Sequence, residues 1–223
     1  MKKIFSIVII LQALLLMTGM TAYARNDTQC SANGPDRLLR IKIDQILKVL
    51  DDSTLSEDAK KEKLKEIVDP IFNYPLMAKL TLGRKYWYKF SEKQRRLFTK
   101  LFISRLKASY LDKISLYSGG VKADVVCGHL EPNGKKAVVP VTVTAKGSTV
   151  DIRYHFYHFP DGWKIYDVEI KGVSIVSSYH AQFEQVLSNG SIEDLLNALE
   201  APLPEKSKKP VEKEGAKSDG SKI

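Results

Sequence analysis

Two periods of apolar residues divide this chain. From Leu38 to Tyr117 they recur at three- and four-residue intervals, the spacing that brings side chains onto one face of a helix. Leu38, Ile41, Ile46, Leu47 and Leu50 form a first stripe. Ser56, followed by Glu57 and Asp58, marks the start of a second element, whose face carries Leu64, Ile67, Val68 and Ile71 until Pro70 and Pro75 disturb it. A short apolar stretch, LMAKLTLGR, closes at Gly83, a residue suited to a helix C-cap. Ser91-Glu92-Lys93-Gln94 forms a capping box, serine and glutamine each satisfying the other's backbone donor. Behind it Phe98, Leu101, Phe102, Leu106, Tyr110, Ile114 and Tyr117 predict a long amphipathic helix, ended by Gly119-Gly120.

After Gly120 the period becomes two. VKADVVCG, KAVVPVTVTAK, STVDIRYHFYHF and GWKIYDVEIKG predict four strands. Between them Pro132-Asn133-Gly134, Lys146-Gly147-Ser148 and Pro160-Asp161-Gly162 are turn signals, which makes the arrangement an antiparallel meander. Parity assigns Val139, Val141, Val143, Val150, Ile152, Tyr154, Phe156, Tyr166, Val168 and Ile170 to one face. Thr142, Thr144, Asp151, Arg153, Asp167 and Glu169 fall on the other, so one side is wet and the other covered by helices. Beyond Gly172 an apolar run enters another helix, and Ser191-Ile192-Glu193-Asp194 caps a last one with Leu195, Leu196 and Leu199 inward. The expected class is α+β: a curved, four-stranded antiparallel sheet wrapped by helices, with an N-terminal helical subdomain.

The two ends behave differently. Lys2 and Lys3 precede an almost wholly apolar run, Ile4 to Met20, and Ala22-Tyr23-Ala24 is a small-x-small cleavage site. This predicts a signal peptide over 1–24, cut after Ala24, rather than an uncleaved anchor. Cys30 follows Asp27-Thr28-Gln29, which lacks the small and aliphatic residues of a lipoprotein site. The exported domain is expected over 25–201, helical over about 36–118, sheet over about 120–171 and helical again over 173–200. The tail, 202–223, mixes Lys, Glu, Ser, Gly and Pro with almost nothing apolar and is expected to be disordered. Cys30 and Cys127 are able to pair in an oxidising compartment, but a buried thiol at Cys127 is the favoured expectation.

Charge changes the picture little. The net charge is +9 and the pI near 9.3, values that raise nucleic acid as a partner. Export argues against that, and the lysines are dispersed without the interleaved aromatics of a stacking platform. A solvated basic surface remains, with attraction to anionic membrane surfaces or an acidic partner as its functional version. Catalytic groups are scarce. Cys127 and His129 lie two apart on one strand face, too far for an easy thiolate–imidazole contact. His155, His158 and His180 lack companions at metal-ligand spacing. Asp167 and Glu169, beside Arg153 and Lys171, suit a cross-strand charge ladder. The expectation is a protein that is not an enzyme and has no metal or cofactor. Its broad aliphatic sheet face is a packed core or a cavity, and on pattern alone the core is favoured, because periodicity reports burial and not emptiness.

Three stretches carry a resemblance. YDVEIKGVSIVSSYHAQF (166–183) resembles a segment of MlaC-like proteins, the toluene-tolerance family of periplasmic phospholipid carriers, through Tyr166, Asp167, Gly172, Val173, Ser174, Ile175, Val176, Tyr179, Gln182 and Phe183. The family often has arginine where this chain has His180. MAKLTLGRKYWYKFSEKQRRLFTKLF is similar to the family's leucine–glycine–arginine, aromatic pair, capping residue and aromatic-rich helix, with Lys85 an extra residue. Gly190-Ser191-Ile192-Glu193-Asp194-Leu195 resembles its glycine–isoleucine–aspartate–glycine–leucine stretch.

The resemblance implies a nuclear-transport-factor-like sheet enclosing a pocket for acyl chains, with phospholipid as cargo and no cofactor. Leu101, Phe102, Leu106, Val139, Val141, Val143, Ile152, Tyr154, Phe156, Val168, Ile170, Val173 and Ile175 are the expected lining, and Val173, Ile175 and Val176 close the pocket mouth. It further implies a periplasmic monomer that serves outer-membrane lipid asymmetry. Its partners would be an outer-membrane lipoprotein complex and an inner-membrane ABC transporter with its substrate-binding membrane component. A carrier of hopanoid or another apolar lipid, and a ligand-free envelope interaction module, are the alternatives.

Overall fold

Most helices begin on a residue that satisfies their first backbone donors. The computed structural model describes residues 33–114, 120–131, 133–145 and 147–202, all within one compact unit, Ser31–Ile223. The predicted signal peptide, Cys30 and nearly all of the tail lie outside the described residues. Helix α1 (Pro35–Asp51) opens on proline at its first position with Asp36 in its first turn, where a missing N–H and a negative charge suit the helix start. Helix α2 (Glu57–Val68) is capped by Ser56, whose side chain accepts from the Ala59 N–H. A 3₁₀ turn (Asp69–Ile71) leads to α3 (Tyr74–Trp87), which Asn73 caps through the Leu76 N–H. Pro75 sits in that first turn and starts a helix instead of breaking one. The Ser91–Gln94 box forms as expected, with bonds of 2.8 and 3.3 Å, and opens α4 (Glu92–Ile114).

Two helical expectations need correction. Ile41 is 46% exposed, and Leu39 (3%) is the residue that enters the core. Leu39 and Leu50 stand eleven residues apart, close to three full turns, and so share the buried side. Gly83 does leave helical geometry (φ 63°, ψ 170°), but a further turn resumes behind it through Trp87. Tyr86, buried in the core, anchors that turn.

The sheet has six strands rather than four: β1 (Lys122–Val125), β2 (His129–Leu130), β3 (Lys136–Ala145), β4 (Ser148–Phe159), β5 (Gly162–Ile170) and β6 (Val173–Ser174). Their order is β1-β3-β4-β5-β6, antiparallel throughout, with β2 also on β3. Helices α5 (Ile175–Asn189) and α6 (Ile192–Glu200) follow, α6 with its Ser191–Asp194 capping box. One bulge overturns the parity reading. Phe156 pairs with Ile165 but His155 with Asp167, so Tyr166 is an extra residue. Ile165, not Tyr166, is therefore fully buried, and the Tyr166 ring lies 6.2 Å from that of His155. The helical part is tied to the sheet by the Asn73 N–H donating to the Ile165 carbonyl (2.8 Å) and by Lys164 donating to the Pro70 carbonyl (2.8 Å).

Candidate functional site

The sheet's inner face is closed at one end and half-open at the other. At the closed end Val139, Val141, Phe156, Ile165 and Val168 are buried in one cluster with Phe98, Phe102, Leu106, Ile175 and Phe183. Toward the other end Ala123, Val143, Val150, Ile152 and Ile170 are only half-buried. They form a continuous apolar strip across strands, because Ala123 pairs with Val143, Val143 with Val150, and Ile152 with both Val141 and Ile170. Tyr154 stands between the two zones, flanked across the sheet by Val139 and Val168. Burial pushes the pKa of its hydroxyl up to about 12, so its surroundings penalise charge.

The structure brings the expected lining residues together with one exception. Phe102, Leu106, Val139, Val141, Phe156, Val168 and Ile175 are buried, while Leu101, Val143, Ile152, Tyr154 and Ile170 are half-buried against them. Val173 departs: it is 59% exposed on β6 and outside the cluster. The cause is a hairpin that periodicity does not reveal. Lys171 and Gly172 have φ of 50° and 80°, and Ile170 pairs with Val173. Two central residues with positive φ make a type I′ turn, so the chain folds back on β5 before α5 begins.

Asp167 joins the strand to that helix. Its carboxylate accepts from the Ser174 hydroxyl (2.5 Å), the Val168 N–H (2.8 Å) and the Val176 N–H in the first turn of α5 (3.1 Å). The Ser174 hydroxyl in turn accepts from the Ser177 N–H (2.9 Å). Asp167 thus serves the helix start; of the two carboxylates Glu169 is the one that pairs with Arg153 (2.9 Å), and its other oxygen lies 3.4 Å from the His155 Nε2. Farther along α5, Tyr179 meets Phe102 edge-on with ring centroids 5.3 Å apart, and Phe183 meets Phe98 at 5.5 Å. His180 contacts the Thr81 carbonyl through Nδ1 (3.0 Å) and packs on Gly83, where an added Cβ would lie 2.9 Å from the imidazole.

Cys127 is disulfide-bonded and so cannot pair as a thiolate with His129; the chain's other cysteine is Cys30. Among the described residues no group of three or more His, Cys, Asp and Glu is placed to hold a metal, and no helix is long and apolar enough to cross a membrane. Two open clefts lie away from the sheet face. One of about 550 Å³ is bordered by Asp44, Leu47, Lys48, Asp51 and Asp52. The other, about 570 Å³, lies between Trp87 and the Glu92–Ile103 face of α4.

The family model for the MlaC protein matches residues 41–201. No curated protein matches the chain. Among solved structures it is similar to the phospholipid-binding protein from Ralstonia solanacearum, determined in complex with a phospholipid. The identity is 21% and the TM-score 0.66, over 74% of this chain and 94% of that one.

Proposed function

The chain belongs to the MlaC family, and on that premise we propose that it is a soluble periplasmic carrier of phospholipid. It holds acyl chains against the sheet's inner face and moves lipid between an outer-membrane lipoprotein complex and an inner-membrane ABC transporter. The observation that carries the proposal is the apolar strip Ala123-Val143-Val150-Ile152-Ile170, half-buried and continuous with the core. The shared fold of the Ralstonia protein, which was solved with phospholipid bound, supports it.

Energetics favour a site of this kind. Burying acyl chains is worth ~0.8 kcal/mol per CH₂ relative to water, but lipid leaving a bilayer starts in hydrocarbon. A carrier therefore needs a face about as apolar as the membrane, with no buried charge. The inner strip and Tyr154, whose surroundings hold its proton, meet that condition. The cargo lies along the half-open end and parts the helices from the closed one, its headgroup at the solvent mouth.

The test is mass spectrometry of lipid extracted from gently purified protein, repeated on Ile152→Trp and Val141→Trp. Ile152 lies in the strip, so the indole occupies the cargo's place: lipid content falls while unfolding in denaturant changes little. Val141 is already buried, and the same indole overpacks the core at a cost of ~1–3 kcal/mol or more. Wild-type protein without lipid, or Ile152→Trp with its lipid retained, overturns the reading.

A further inference from the structure

Basic and aromatic residues do interleave in this chain, against the reading of its charge as dispersed. Between Lys79 and Lys100 stand eight cations (Lys79, Arg84, Lys85, Lys89, Lys93, Arg95, Arg96 and Lys100) and one carboxylate, Glu92. Folding gathers them around the junction of α3 and α4. The Arg95 guanidinium lies 5.5 Å from the Trp87 ring and 5.7 Å from the Tyr88 ring, and its Nε–H donates to the Trp87 carbonyl (2.7 Å). Lys79 also approaches Trp87, at 5.9 Å, while Lys85 and Lys89 lie over Tyr86 at 4.6 and 5.5 Å. Tyr88 projects outward, 67% exposed, the most exposed large apolar side chain among the described residues. The cleft of about 570 Å³ next to it is lined by Trp87, Thr99 and Ile103 with Arg95, Arg96, Lys100 and the single carboxylate Glu92, which pairs with Arg96.

We propose that this junction docks the protein onto anionic phospholipid bilayers. Tryptophan and tyrosine settle at the headgroup level, where an apolar ring and a polar edge are both satisfied. Lysine and arginine beside them reach phosphates while their stems stay in apolar contact. The arrangement fits a broad anionic surface better than an acidic protein. Tyr88 protrudes instead of filling a recess, and among the described residues only Arg96–Glu92 and Lys85–Glu184 tie cations of this patch to carboxylates. The patch lies on helices α3 and α4, apart from the half-open strip. Docking rests on the carrier reading for bringing the protein to membranes, but not for its chemistry.

The experiment is co-sedimentation of the full mature chain with vesicles of phosphatidylglycerol and phosphatidylethanolamine, and with vesicles of phosphatidylcholine alone, at about 0.05 M salt. The wild type is expected on the anionic vesicles and not on the neutral ones. Arg96→Gln with Lys100→Gln lowers anionic binding about 25-fold, at about fivefold per cation. The equally charged change Lys61→Gln with Lys63→Gln, on α2, leaves it unaltered. In a Trp163→Phe background, brominated acyl chains quench Trp87, and Tyr88→Ala abolishes the quenching. Extracted lipid is measured on every variant, so loss of docking with cargo retained is distinguishable from failure of the carrier reading. A wild type that stays off anionic vesicles overturns the proposal. So do equal losses in the two charge pairs.

Discussion

Replacing Asp167 by alanine removes an acceptor that serves three donors at once. Two of them, the Ser174 hydroxyl at 2.5 Å and the Val176 N–H at 3.1 Å, lie where β5, β6 and α5 meet. Hydrogen bonds to a charged group contribute ~1.5–3 kcal/mol each, but the exposed part of this corner lets water replace some of that. A negative charge at a helix N-terminus adds ~0.3–1 kcal/mol. Val176 is buried, so its N–H is the donor least able to find water. The expected loss for Asp167→Ala is therefore ~3 kcal/mol, a fall in Tm of roughly 6–12 °C for a domain of this size. Asp167→Asn keeps an oxygen for the two backbone donors and loses the charge, for ~1 kcal/mol. Ser174→Ala removes the N-cap, also ~1 kcal/mol. Because the serine hydroxyl bridges Asp167 to the Ser177 N–H, the double variant should be non-additive by at least ~0.5 kcal/mol. Urea unfolding of the four variants beside the wild type measures all of this. An alanine variant within ~0.5 kcal/mol of wild type, or strict additivity, refutes the assignment of Asp167 to the helix start.

Two further outcomes follow from local geometry. Gly83→Ala places a side chain at φ 63° and a Cβ against His180. It should cost ~1–3 kcal/mol for a backbone region open almost solely to glycine, and adding His180→Ala should recover only the contact part, as read by thermal unfolding. Tyr154 holds its proton to about pH 12 when folded, above the ordinary value near 10 reached on unfolding. Its share of stability is then complete below pH ~10 and lost as pH rises through the folded pKa. Burial also raises the hydroxyls of Tyr74 and Tyr166, so alkaline difference absorbance should show fewer tyrosinates forming below pH ~11 than in the unfolded chain, and Tyr154→Phe should narrow that deficit by its own contribution.

How much of this was legible in the linear chain depends on the range of the interaction. Caps are local, so Ser56, the Ser91–Gln94 box and the Ser191–Asp194 box all stand in the structure as their spacing predicts. Strand alternation on β3 and most of β4 held for the same reason. Parity failed at one extra residue, since a bulge turns over everything on one side of it: Tyr166 went to the outer face and Ile165 to the core. The type I′ turn at Lys171-Gly172 was hidden because lysine seldom adopts positive φ, and a turn of two residues resembles a bend. Val173 accordingly left the predicted lining. The basic-aromatic junction was missed for another reason. RKYWYK and EKQRR belong to separate helical elements, and only the turn through Lys89 and Phe90 folds Arg95 back over Trp87.

The corner that carries most of the family likeness is thus an organising device more than a contact surface for cargo. Asp167 and Ser174 set where α5 starts. Tyr179 and Phe183, one helical turn apart, then meet Phe102 and Phe98 of α4 edge-on. Gly83 lets α3 approach His180. Together these contacts fix two helices over the closed end of the sheet while leaving Val143, Ile152 and Ile170 less covered. An apolar strip left half-open beside a core so firmly pinned is a face that can admit a chain without unfolding the rest. Loosening the pin at Asp167 should therefore lower stability before it lowers affinity for lipid, whereas filling the strip at Ile152 should do the reverse.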